Sequence, residues 1–313
     1  MGFENLMQTA AAIRSKAIEI GKNEIQESDE IPKEWVEAWR ADVERKANAV
    51  AGKFQPFTEL PDPAKFNGAI AELQRVMGKL SSGQDTSDPI SRNGRVYPAN
   101  VAMTKMDSVK ADVAGWSGVA AQEFITKFLT PFPAVMHNQF LLVAALKAAL
   151  EAEQAMWKAS REDIASIAEA TLKYLESMRG CSKNQAVIVF TVIASICAVL
   201  TSSGGALPIA ITAIGAVASA GADIVGLESA PKTQIDGMYV VMVLASMEKA
   251  INQLVEKIMY TENRIKSAVA NISDQIHSAQ SSSNPDQHSF CARRPSLADA
   301  SRGSIRHDLG YTG

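Results

Sequence analysis

The chain has 313 residues and a net charge of −3, and 47% of it is apolar with only 6% aromatic residues. It is long enough to bury a core of its own, and its lack of clustered positive charge argues against a nucleic-acid footprint. Cys181, Cys197 and Cys291 lie too far apart for a metal knuckle or a disulfide framework.

Plentiful Ala, Met, Ile, Leu, Glu and Lys favour helix throughout. The opening "MGFENLMQTAAAIRSKAIEIGKNEI" has neither the basic start nor the apolar run of a cleaved secretory signal, and it fits a myristoylation pattern poorly. Residues 3–26 show apolar positions at helical spacing. Ser28 or Asp29 then serves as an N-cap with Pro32 in the first turn of a second amphipathic helix, whose Trp35, Trp39, Val43 and Val50 lie on or near one face. A third helix is expected from about Pro63 to Leu80, followed by a polar loop at 83–97.

Helix resumes near Pro98 and runs to Trp116-Ser117-Gly118. "VAAQEFITKFL" is helical again until "TPFP" at 130–133 kinks or ends it. A long helix then covers about 134–179, with a seam through Leu146, Leu150, Trp157, Ile164, Ile167, Thr171 and Met178. A matching seam runs from Leu244 through Met247, Ile251, Leu254, Ile258, Ile265, Val269 and Ile272 to Ile276. The expected fold is therefore all-α: an elongated helical bundle with long antiparallel helices and a central apolar helical hairpin. No strand of convincing alternation stands out. The layout divides into N-terminal helices (1–60), a helical-hairpin region (61–180), the apolar hairpin (181–230), a C-terminal long helix (231–279) and a tail (280–313) whose composition suits disorder. Arg293-Arg294-Pro295-Ser296 in that tail matches a basophilic kinase site, a pattern that arises by chance in Ser/Arg-rich segments.

The hairpin is set apart by charge. No charged residue occurs from Asn184 to Ala222, and the run splits at Ser202-Ser203-Gly204-Gly205 into two arms. The first is rich in Val and Ile, and the second carries Ala, Gly and Ser at a spacing that lets helices approach closely. Each arm is at the short end for crossing a hydrocarbon core of roughly 30 Å. Three readings fit: helices of a soluble core, which stays ahead; a sheltered hairpin that inserts into a membrane later; and a constitutive two-span anchor, which lacks the usual basic and aromatic flanks. On the inserting reading, the candidates are Val187, Val189, Phe190, Ile193, Ile196, Val199, Leu200, Leu207, Ile209, Ile211, Ile214 and Val217.

Trp116-Ser117-Gly118 followed by Val119-Ala120-Ala121-Gln122-Glu123-Phe124 resembles the signature of the WXG100 proteins, small helical-hairpin substrates of bacterial type VII secretion. The resemblance covers roughly 65–178. It implies that Trp116, Gly118 and Phe124 belong to an interaction and turn motif, with Gly118 allowing the reversal and Trp116 packing at a helix–helix or partner interface. It also implies cytoplasmic synthesis and secretion without a cleaved signal. The family's export signal, an aromatic residue followed four positions later by an acid, is not found after the motif: Tyr174 is followed by Met178, Tyr239 by Val243, Tyr260 by Arg264 and Trp157 by Arg161.

No catalytic, cofactor-binding or metal-binding constellation appears. His137, His277, His288 and His307 are scattered, no glycine-rich loop follows a strand, and Glu162, Asp163 and Glu169 read as solvated charges on a helix. The expectation is a non-enzymatic protein without cofactor. It would act through a helical partner or self-association, with membrane contact through the apolar hairpin. The alternative is an α-helical pore-forming toxin that inserts residues 184–227.

Overall fold

The computed structural model describes residues 2–26, 32–82, 96–178, 186–192, 232–281 and 301. They are mostly helical. By contacts they divide into two compact units, one from the described residues within 1–66, 152–198 and 223–264, the other from those within 67–151 and from 265 onward.

In the first unit, α1 (Leu6–Gln26) and α2 (Lys33–Phe54) pack as an antiparallel pair. Leu6, Ala10, Ile13, Ala17 and Ile20 recur at helical spacing and are buried, as are Val43, Ala47, Val50 and Phe54. The small residues set the distance between the helices. A Cβ on Gly21 would lie 2.6 Å from Cγ1 of Val43, so only glycine admits this approach without a shift. Arg14 Nε donates to Asn48 Oδ1 at 2.7 Å across the same pair. A short 3-10 turn (Gln55–Glu59) follows α2, and a second precedes α3 at Pro63–Phe66.

Two helices run through both units: α6 (Phe132–Ser177) and α7 (Val240–Ser281). In the first unit α6 is tied to the 60–63 turn by Arg161 Nη2 donating to Leu60 O at 2.8 Å and Gln154 Nε2 donating to Pro63 O at 2.8 Å. The Arg161 guanidinium also lies over the Phe3 ring, 4.6 Å from its centroid. Most of the seam residues expected on these helices are buried, among them Ile164, Ile167 and Thr171 on α6 and Leu244, Met247, Ile251, Leu254, Ile258 and Ile272 on α7.

In the second unit α3 (Asn67–Leu80) buries Ile70 and Met77. Asn100 fixes the start of α4 (Val101–Val113): its Oδ1 accepts from Ala102 N at 3.0 Å, and its Nδ2 donates to Lys79 O at 2.7 Å. Tyr97 is buried beside Phe140 in an edge-to-face pair with centroids 5.7 Å apart. After the turn come α5 (Val119–Phe124) and a π-helical turn (Ile125–Leu129). "TPFP" therefore marks a change of helical winding followed by α6 from Phe132, a local break and no more. Lys147, 2% exposed in α6, pairs with Glu151 one turn on at 3.1 Å.

One element departs from the all-helical expectation. Residues Ala186–Val189 form β1, which pairs antiparallel with β2 (Lys232–Ile235) in the register Ala186 with Ile235 and Val189 with Lys232. The first arm of the apolar segment thus begins as a strand. Val187, Ile188 and Val189 are β-branched and suit a pleated backbone. Their alternation, with Ile188 buried and both valines exposed, is invisible in a run where every residue is apolar.

Candidate functional site

The part of the molecule with the most unusual chemistry is the neck of the uncharged segment, where α6 gives way to β1 and β2 leads into α7. The ladder brings Ala186–Val189, at the start of that segment, beside Lys232–Ile235, which follows its last uncharged residue, Ala222, by ten residues. Beyond β1 the chain turns inward: Phe190 and Val192 are buried.

A buried carboxylate holds this entry. Asp163 on α6 is 2% exposed. Its oxygens accept from Thr191 N (2.9 and 3.0 Å), Thr191 Oγ1 (2.9 Å) and Val192 N (3.1 Å). Burial pushes the Asp163 carboxyl above its ordinary value, against the opposing effect of these hydrogen bonds, and nearby Glu162 pushes the same way. Asp163 is thus no solvated surface charge, as its helical setting suggested. Glu162 is exposed and Glu169 half-buried.

The exit is fixed from the other side. Tyr174 Oη donates to Gly237 O at 3.1 Å and accepts from Gly237 N at 3.2 Å, linking the last turns of α6 to the loop before α7. Gly237 has φ +153°, and a Cβ there would meet Val243 N at 2.7 Å. Glu24 of α1 accepts from Val240 N at 3.0 Å, so a carboxylate caps the positive end of α7. Among the described residues its other oxygen is buried without a hydrogen-bond partner, and burial holds the Glu24 carboxyl above the usual range. Lys53 of α2 pairs with Glu248 of α7.

Around this neck several large apolar side chains face solvent. Trp35 is 70% exposed, Met238 61% and Met242 52%, and Tyr239 is also exposed. Tyr239 meets Trp39 edge-on, with centroids 5.5 Å apart, and Trp35 lies one turn earlier on α2. Of the membrane-insertion candidates, Val187 and Val189 are on the exposed face of β1 while Phe190 is packed inside. Ile193, Ile196, Val199, Leu200, Leu207, Ile209, Ile211, Ile214 and Val217 lie outside the described residues.

The Trp-Ser-Gly turn is a separate feature, in the other unit. Gly118 has φ +98°, a conformation that glycine adopts without strain, and α4 contacts the π turn beyond it. Phe124 stacks on Phe128, with centroids 5.4 Å apart. Trp116 is 61% exposed and Val119 is exposed beside it, so the indole is largely uncovered at the turn.

Other chemistry is sparse. Among the described residues no group of three or more His, Cys, Asp or Glu side chains is placed to hold a metal. A groove of about 320 Å³ is lined by Ile18, Gly21, Lys22, Arg40, Val43 and Glu44. One helical run among the described residues, Val119–Ser177, is long and apolar enough to cross a membrane by length and composition, which weakly allows membrane association. Compared with known protein families, curated proteins and solved structures, the chain matches none.

Proposed function

We propose that this is a non-enzymatic helical protein that acts on membranes, with the uncharged segment between β1 and β2 as the part that enters lipid. The observation that carries the reading is the β1–β2 ladder. An inserting hairpin needs both ends on one membrane face. A short sheet at the junction of two long helices supplies that, and the stretch it encloses lacks charge to Ala222. The hydrogen bonds from Tyr174 to Gly237 support an antiparallel arrangement of α6 and α7 behind it. Dye release from phosphatidylcholine vesicles tests the reading. Wild-type protein should release dye, and Ile196→Arg with Ile211→Arg should reduce release at least about tenfold, since a central arginine costs roughly 3 kcal/mol in a bilayer. An absence of release at every pH and lipid composition would sink it.

A second reading rests on the exposed Trp116 and Val119 at the Gly118 reversal, the site of the likeness to WXG100 proteins. On that reading the protein is secreted without a cleaved signal and binds a helical partner there, which also supplies the export signal. Size-exclusion chromatography with light scattering should then show a complex with a small helical partner that Trp116→Ala weakens about tenfold. A strict monomer that binds nothing would count against it.

A further inference from the structure

The strand at the start of the uncharged segment is tied to the fold by a four-residue ladder and by one carboxylate from another helix. We infer that Ala186–Val192 is a strap that opens as one unit, with Asp163 as its clasp, and that this opening frees Phe190 and Val192 for lipid. The strap itself stands on the contacts at the neck. Its bearing on lipid rests on the membrane reading and adds to it what restrains the segment in water.

β1 and β2 pair over four residues, and a two-stranded ribbon of that length is marginal in water without support. Its outward face adds little, because Val187 and Val189 are exposed. Support comes from the inward side chains of Ile188, Phe190 and Val192, which are buried, and from Asp163. The carboxylate takes the N–H groups of Thr191 and Val192 together with the Thr191 hydroxyl. These donors belong to consecutive residues, so one side chain governs the whole grip. It is a grip with an opposing cost. Burial pushes the Asp163 carboxyl above its ordinary value, so keeping the charge from water offsets part of what the hydrogen bonds contribute. Opening restores that hydration. By contrast, α6 and α7 are 46 and 42 residues long and bury side chains along most of their length. Local opening takes the least supported unit first, which here is the strap. From Asn184 to Ala222 the chain carries no charge, so the clasp acts on the same run that the membrane reading sends into lipid.

Hydrogen exchange of the whole chain, followed by mass spectrometry at one pH, tests the strap. Amides of residues 187–192 should exchange as one group, ahead of those around Ile164–Thr171 in α6. Asp163→Ala should speed that group at least about tenfold, and Thr191→Val, which removes only the hydroxyl contact, about threefold. Gly21→Ala, which crowds Val43 in the α1–α2 pair, should leave it unchanged. Strap amides that exchange in step with α6 would mean that the strap opens only when its surroundings unfold, and would overturn the proposal. So would a response to Gly21→Ala as strong as that to Asp163→Ala, or no response to Asp163→Ala and Thr191→Val. Dye release from phosphatidylcholine vesicles then reads the bearing on lipid: Asp163→Ala should release dye about tenfold faster than wild type. Faster strap exchange with release no faster overturns the restraint on insertion. Release by neither protein leaves strap and clasp standing and removes the membrane reading.

Discussion

Replacing Asp163 with alanine is expected to lower the stability of the protein by about 2–3 kcal/mol at neutral pH, read from urea unfolding followed by circular dichroism. The carboxylate gathers two backbone N–H groups and a hydroxyl from Thr191 and Val192. Val192 is fully buried, so its N–H has no water to turn to once the acceptor is gone. Asp163→Asn keeps one acceptor oxygen and removes the desolvated charge, and its loss should be smaller. A destabilisation no greater than that of an exposed helix substitution such as Glu162→Ala would show that the carboxylate does not hold this junction.

The same residue predicts an inverted pH dependence. Because burial holds the Asp163 carboxyl above its unfolded value, the folded chain takes up a proton more readily than the unfolded one. The protonation-linked part of its contribution is then fully present below the ordinary aspartate range and is lost as pH rises through the folded value, while the hydrogen bonds to Thr191 and Val192 carry the rest. Glu24, also raised by burial, acts with the same sign. Stability from these two groups therefore falls between the ordinary carboxylate range and their raised values. Asp163→Asn with Glu24→Gln should flatten that slope, and a wild-type slope that survives both changes would contradict it.

How much of this was legible in the sequence depended on whether a signal was local. The helices were, because apolar residues at three- and four-residue steps mark buried faces whatever they pack against, and Ile13, Val43, Leu254 and Ile272 are buried as that spacing implies. Gly118 was legible for the same reason, since a reversal between helices needs a residue that tolerates positive φ. β1 was not, because alternation cannot register where valine and isoleucine occupy both faces. Asp163 was missed because a lone carboxylate among Glu162 and Glu169 looks like helix surface until the chain some thirty residues later delivers its donors. The exposure of Trp35 and Trp116 was equally hidden, as spacing tells which face a tryptophan is on but not whether anything covers it.

Gly237→Ala is expected to be the most damaging single-methyl change among the described glycines, costing about 3 kcal/mol. At φ +153° the backbone is in a region that side-chain-bearing residues scarcely enter. The added Cβ would sit 2.7 Å from Val243 N and 3.0 Å from Met242 C, which are backbone atoms of the first turn of α7 and cannot rotate aside. Relief would have to come from moving that turn, which Glu24 caps through Val240 and Tyr174 grips through Gly237. Gly52→Ala is the control: nothing lies within 4 Å of its Cβ, it is near the end of α2, and alanine there should stabilise by up to about 1 kcal/mol. The two substitutions add the same methyl group, so opposite signs in thermal unfolding isolate the constraint at the neck. A Gly237→Ala protein that melts with the wild type would mean that the entry to α7 adjusts freely, and that the loop after β2 does not constrain it.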